Sequence, residues 1–193
     1  MSKAATASGE YYVVVDVESA GPNPSSYALL SIGACTVEVP HKTFYVELQP
    51  DSTEYTEEAL QVNQLSLELL SQQGLPPAEA LRRFESWLSE IVPPGWEAIF
   101  VAFNAPYDWM FINDYFQRYL GYNPFGHKAL DMKAFFMGLH GVRWRETAHD
   151  LITDHYSGKY SLPHHALEDA ILEAELFAAM LAESQQIHSS GGR

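Results

Sequence analysis

Cations are scarce in this chain: 11 Lys and Arg stand against 25 Asp and Glu, a formal net charge of −14 over 193 residues. Proteins that hold long nucleic acids along their backbone carry a basic face. That mode is excluded here, so a nucleic-acid partner would be met at a chain end or as a short oligomer, with metal ions supplying part of the local positive charge. Cysteine is nearly absent. Cys35 stands alone, so no internal disulfide can form, which favours a reducing compartment. No stretch approaches the roughly 18 apolar residues of a membrane-spanning helix, and MSKAATASGE has no apolar h-region of a secretory signal. The expectation is a soluble cytoplasmic protein with no membrane partner. Repeats and long linkers are also missing.

What is present is enough apolar matter, 47% of residues, for one full-sized core. Residues 1–9 and 185–193 read as disordered by composition, leaving one domain over 10–184. Tyr11–Val17 is aromatic and β-branched and predicts a buried strand, followed by a turn in GPNPSS. Residues 28–38 and 42–48 predict two further strands, antiparallel to the first. Residues 56–72 predict one helix. A second spans 77–91, where Ala80, Leu81, Phe84, Trp87, Leu88 and Ile91 fall at helical spacing behind a proline start. Residues 98–103 predict a strand, and Pro106 opens a helix that runs to Leu120 and stops at Gly121. Residues 128–131 predict a short strand, and 165–184 a closing helix. With the helical block of 56–91 counted once, the order β-β-β-α-β-α-β-α implies an α/β fold of the ribonuclease H-like type, a mixed sheet of about five strands with helices on both faces.

Against that background, certain carboxylates are conspicuous because each sits at the edge of an apolar segment. An unpaired buried charge costs several kcal/mol. Asp16 and Glu18, in YYVVVDVESAG, are separated by one residue on a strand and share a face at its C-terminal end. Asp108 heads a helical stripe of Phe111, Ile112, Tyr115 and Tyr119. Asp169 heads a similar stripe of Leu172, Leu176, Ala179 and Met180, with Glu168 turned to solvent and His164 five residues before it. Each feature has an ordinary reading: a strand running into a turn, a carboxylate favoured by a helix dipole, a histidine before a helix. Asn104 reads as an N-cap and Asp131 as a structural cap. Taken together, the acidic residues and the histidine point to a divalent-metal centre.

These stretches resemble the DEDDh group of 3′→5′ exonucleases, which includes ribonuclease T, oligoribonuclease and the epsilon subunit of DNA polymerase III. VVVDVESAG is similar to the first motif, VAFNAPYDWMF to the second and HHALEDA to the third, over residues 11–182. Ser19 stands where many members have Thr, and Phe103 where many have His. The resemblance implies two divalent ions, Mg²⁺ or Mn²⁺, which hard oxygen ligands suit. Asp16 would bridge them. Glu18 and Asp169 would help hold the nucleophile-side ion, and Asp108 would act largely through water on the other. His164 would be the general base, since imidazole titrates close enough to neutral pH to take a proton there.

Substrate contacts are expected from Ser19, Ala20 and Gly21, together with Phe103 and Asn104. Tyr107, Trp109 and Phe111 offer further aromatic surface for stacking. Arg143, Arg145 and Lys159, in a loop-rich stretch, are candidates for phosphate, and His165 is expected to have no role. The implied activity is release of nucleoside 5′-monophosphates from the 3′ end of single-stranded RNA or DNA. The alternatives are a phosphodiesterase acting on dinucleotides or small nucleotides at the same site, and a non-catalytic binding module. Nothing in the residues tells RNA from DNA. Related nucleases are often homodimers.

Overall fold

The computed structural model describes residues 9–156 and 164–190. The first three strands are β1 (Glu10–Ser19), β2 (Leu29–Thr36) and β3 (Thr43–Glu47). Helices α1 (Glu57–Asn63), α2 (Leu67–Gln73) and α3 (Pro77–Ile91) lead to β4 (Glu97–Ala102). There follow α4 (Pro106–Leu120), β5 (Ala129–Asp131), α5 (Met132–His140), a 3₁₀ turn at Trp144–Glu146, α6 (His149–His155) and α7 (Ala166–Ser190). The five strands form one sheet in the order β3-β2-β1-β4-β5. The pairs β1/β2 and β2/β3 are antiparallel, and β1/β4 and β4/β5 are parallel. This is the expected mixed α/β sheet, and β1 sits at its centre because its valines are apolar on both faces.

Strand parity divides the core. Val13, Val15 and Val17 pack with α3 and α4, through Leu81, Phe84, Phe111, Ile112 and Phe116. Val14 faces the other way, against Met132, Ile152, Ala170, Ala174 and Phe177 of α5, α6 and α7. By alternation Asp16 and Glu18 follow Val14 onto the α7 side. Helix α3 has the expected limits, and Phe84 at its centre stacks on Phe44 with ring centroids 4.9 Å apart. Among the described residues no helix is long and apolar enough to cross a membrane.

Four expectations need correction. The predicted helix over 56–72 is two helices. Gln64 takes the left-handed conformation at φ 57°, and Ser66 caps α2 by accepting a hydrogen bond from the Leu69 N–H. The stretch after β5 is not mainly loop. Asp131 caps α5, which ends in the left-handed Gly141, and α6 follows. The closing helix runs to Ser190, so residues 185–190 of the expected disordered tail are helical, with no glycine or proline to stop them before Gly191. Finally, Asn104 does not cap α4: it lies at φ 62°, and the residue at the cap, Ala105, makes no side-chain cap bond.

Candidate active site

The site forms where the C-terminal end of β1 meets the N-terminal ends of α4 and α7. Asp16 pairs in register with Gly33 of β2. A Cβ at Gly33 would lie 2.1 Å from the Ala166 carbonyl carbon and 2.3 Å from the Leu167 nitrogen. The bare backbone there lets the first turn of α7 rest directly on the sheet beside Asp16, which carries Asp169 to the strand. His165 fixes the same turn from the other side. Its ring stacks on Tyr45 of β3 at 4.7 Å, and its carbonyl accepts from the Asp169 N–H, so it is an anchor rather than a bystander.

Asp16, Glu18 and Asp169 each place one carboxylate oxygen within 4.8 Å of the others. Asp108 is buried at the start of α4, and its Oδ1 accepts from the Val17 N–H at 3.1 Å, which ties α4 to β1 between the two acidic residues of the strand. His164 is exposed, at φ 55°, at the entry to α7.

The structure adds a fifth carboxylate that the sequence reading passed over. Glu173 is buried, and its Oε2 accepts from the Phe103 N–H at 3.3 Å. It lies one turn beyond Asp169 on the same face of α7. That i+4 spacing was the available signal, hidden among the alanines and leucines of LEDAILEAEL. Among the described residues none of the five has an ion-pair partner.

Five carboxylates gathered without a cation raise one another's pKa. Burial, then Asp108, Glu173, Glu18 and Asp169, holds Asp16 well above the usual range. Burial does the same to Asp108, against the opposing pull of the Val17 amide, and to Glu173, which Asp108 pushes further up. Glu18 is lifted to about 7 by burial and by Asp169, with Asn63 opposing. Asp169 is lifted to about 6 by burial, with His164 and the backbone amides of His165 and His164 opposing. Its Oδ1 is buried without a hydrogen-bond partner. A buried, orphaned oxygen on one of these gathered carboxylates, all hard oxygen donors, fits a divalent cation of the Mg²⁺ or Mn²⁺ kind.

A groove of about 300 Å³ opens beside the carboxylates, lined by Glu18, Ser19, Gly21, Thr56, Asn63 and Tyr107 among others. The Ser19 hydroxyl donates to the Gly21 carbonyl and lies 2.6 Å from the Tyr107 hydroxyl. Gly21 admits the Tyr27 ring, which a Cβ would meet at 2.5 Å. Ala20 is wholly buried. Its N–H donates to the Ala28 carbonyl and its carbonyl accepts from the Thr56 N–H, so both backbone groups already have partners.

Phe103 is partly buried, in an edge-on contact with His149 at 5.0 Å and beneath the Lys133 ammonium at 5.8 Å. Asn104 is exposed. Phe111 is core, whereas Trp109 and Tyr107 are partly buried. Asp131 is the cap expected of it, accepting from Ala134 through Oδ1 and from Ala105 through Oδ2. Arg143 and Arg145 are exposed beside the 3₁₀ turn, and Lys159 lies outside the described residues.

The fold and the gathered carboxylates are those expected of a 3′→5′ exonuclease, and comparison with known proteins shows the chain to be one. The chain belongs to the family described as the 3′-5′ exoribonuclease Rv2179c-like domain, whose model matches residues 11–181. It is 44% identical over 168 residues to the 3′-5′ DNA exonuclease Cap18 of Escherichia coli, covering 87% of this chain and 90% of that protein. Among solved structures, it is similar to the nuclease domain of 3′hExo, a DEDDh member bound to rAMP. There the TM-score is 0.75 and the identity 16%, over 90% of this chain and 92% of the other. It is also similar to E. coli exonuclease I in complex with a dA16 oligonucleotide, with TM-score 0.72 and 15% identity over 93% of this chain and 42% of the other.

Proposed function

We propose that the chain shortens single-stranded DNA from its 3′ end, releasing nucleoside 5′-monophosphates, with two divalent ions, Mg²⁺ or Mn²⁺. The observation that carries this reading is the meeting of carboxylate oxygens of Asp16, Glu18 and Asp169 within 4.8 Å of one another, with Asp169 Oδ1 buried and unpartnered. Asp16, Glu18 and Asp169 would hold one ion, and Asp108 beside Asp16 would help hold the second. When bound, the ions supply positive charge to the attacking and leaving oxygens of an in-line displacement.

The chain's own residues do the rest. His164, exposed at the head of α7, takes a proton from the attacking water. The water oxygen bonds to phosphorus, the 3′ oxygen of the penultimate nucleotide leaves, and the terminal nucleotide departs with its 5′ phosphate. The groove between Glu18 and Tyr107 receives that nucleotide, with Ser19 and Tyr107 braced against the Gly21 carbonyl. Phe103 and Lys133 stand at the edge where the next base would pass. An acidic chain with few cations suits a terminus or a short oligomer better than a long duplex. The protein acts in the cytoplasm, where its single, buried cysteine needs no partner.

The preference for DNA rests on the relative named a DNA exonuclease. RNA is the second reading, favoured by the family description. The test is a 5′-labelled single-stranded DNA and its RNA equivalent, incubated with Mg²⁺ or Mn²⁺. Mononucleotide release is expected from the wild type and is abolished in Asp16→Asn. Wild-type protein inert on every single-stranded oligomer sinks the proposal, and faster cleavage of RNA than of DNA reverses the sugar preference.

A further inference from the structure

A second group of metal-ligating side chains lies well away from the catalytic carboxylates. His140 ends α5, His155 ends α6, and Glu183 follows Asp169 by 14 residues on α7. At 1.5 Å per residue that is about 21 Å along the helix axis. His140 Nε2 and His155 Nε2 lie 3.5 and 3.7 Å from the same oxygen, Glu183 Oε2. One ligand atom from each of the three lies within 4.8 Å of the others. Tetrahedral zinc holds imidazole nitrogen and carboxylate oxygen at about 2.0–2.1 Å, which places neighbouring ligand atoms about 3.3–3.4 Å apart. The two separations to Glu183 are within about 0.4 Å of that edge.

An ion-pair reading is poorer. The two imidazole rings are only 4.6 Å apart, so charging both to satisfy one carboxylate sets two like charges side by side. One divalent ion at the same point lets both rings stay neutral. The neighbouring hydroxyl is also placed as such a site requires. Tyr156 donates its one proton to Glu183 Oε2 at 2.7 Å, orienting the carboxylate while leaving its remaining lone pairs for a metal. The Tyr156 oxygen also lies 3.2 Å from His140 Nε2, a contact that a metal on that nitrogen would replace. Nitrogen donors distinguish this cluster from the all-oxygen catalytic centre and select zinc over Mg²⁺.

We propose that His140, His155 and Glu183 form a zinc site, completed by a water, that clamps the ends of α5 and α6 onto α7. α6 ends at His155, and the chain then leads to His164, so the clamp holds the anchor from which the catalytic histidine's segment departs.

The test uses the full chain carrying Asp16→Asn, which weakens metal binding at the catalytic centre. Chelator-stripped protein is dialysed against Zn²⁺, and bound metal is counted by mass spectrometry. One equivalent of zinc is lost when His155→Gln is added, a change at a 43% exposed side chain that the fold tolerates. With Co²⁺ in place of Zn²⁺, the Asp16→Asn protein shows the strong visible absorption of a four-coordinate nitrogen–oxygen site, and the double variant does not. In the wild-type background, His155→Gln keeps its Mg²⁺-supported rate within about twofold. The proposal is overturned if the Asp16→Asn protein binds no zinc, if adding His155→Gln leaves the zinc count unchanged, or if Co²⁺ gives only the faint colour of octahedral oxygen ligation.

Discussion

Stripped of divalent ions, this protein should become more stable as it is acidified, against the usual behaviour of acidic domains whose carboxylates are paired. Asp169 is 3% exposed, and burial lifts it from 3.8 to about 6. The folded chain therefore holds a proton there that the unfolded chain has already released. The cost of ionising it is fully present above pH 6 and disappears as the pH falls towards 3.8. At about 1.4 kcal/mol per pH unit, Asp169 alone contributes about 3 kcal/mol of metal-free instability at neutral pH. Glu18, lifted from 4.5 to about 7, acts in the same direction, and its partial exposure to water limits it to roughly 1 kcal/mol more. Asp16, Asp108 and Glu173 are shifted with the same sign. About half of the Asp169 and Glu18 contribution, roughly 2 kcal/mol, is recovered by pH 5, and a chain of this length gains roughly 2–4 °C per kcal/mol, so thermal unfolding in EDTA should show Tm rising by about 4–8 °C between about pH 8 and about pH 5. Acidification also relieves the net charge of −14 generally. The reference is therefore the Glu18→Gln/Asp169→Asn double variant, which keeps the surface but loses the two charges, and whose profile should be much flatter. Saturating Mn²⁺ should reverse the sign for the wild type, because ions need the deprotonated carboxylates and protons compete with them. A metal-free wild type with flat or falling Tm on acidification, or a double variant with the wild-type slope, refutes the reasoning.

Two further predictions concern residues outside the recognised motifs. Gly33→Ala puts a methyl group 2.1 Å from the backbone of α7, so the helix start must move by about 1 Å. A displacement of that size at a catalytic constellation costs about 100-fold in kcat/KM, to be measured on a labelled oligomer while circular dichroism shows the helices intact. Glu173→Gln keeps an acceptor for the Phe103 N–H and removes one buried charge. It should raise the metal-free Tm by a few degrees, roughly 1–2 kcal/mol. It should also weaken Mn²⁺ binding several-fold in a calorimetric titration, and unchanged values for both quantities would show that Glu173 only fills space.

The fold was legible wherever one signal dominated. The apolar run of β1, the proline starts of α3 and α4 and the glycine after α4 mark those elements almost to the residue. It was illegible where a single residue redirects the chain. Nothing in LQVNQLSLEL announces that Gln64 turns left-handed, because that turn frees the Asn63 side chain to donate to the Ser19 carbonyl, a contact made 44 residues away. α5 is short, and its nine residues look like loop until Asp131 is seen capping them. Three motifs pointed to four carboxylates and His164, and the fold brings Asp16, Glu18 and Asp169 within 4.8 Å of one another. Gly33 was missed because its purpose exists only after β2 has paired with β1 and α7 has been laid across both. Glu173 was missed because an exposed and a buried Glu look alike in a helix that also carries Glu168, Glu175 and Glu183.

The position of the carboxylates on β1 also bears on why this register is the one adopted. Side chains on a strand alternate, so a slip of one residue would carry Asp16 to the face where Phe84, Phe111 and Phe116 meet Val15 and Val17, with no cation in reach. In the native register Asp16 and Glu18 lie instead at the mouth between β1 and the first turn of α7, and Val13, Val15 and Val17 fill the aromatic side. The apolar face and the acidic face therefore select the same alignment, one by what it buries and the other by what it must not. The repulsion left among the five carboxylates is the local instability that a divalent ion would remove on binding. Metal affinity and catalytic geometry thus draw on the same buried charges, and a substitution that relaxes the cluster in the metal-free chain should weaken the metal-bound one.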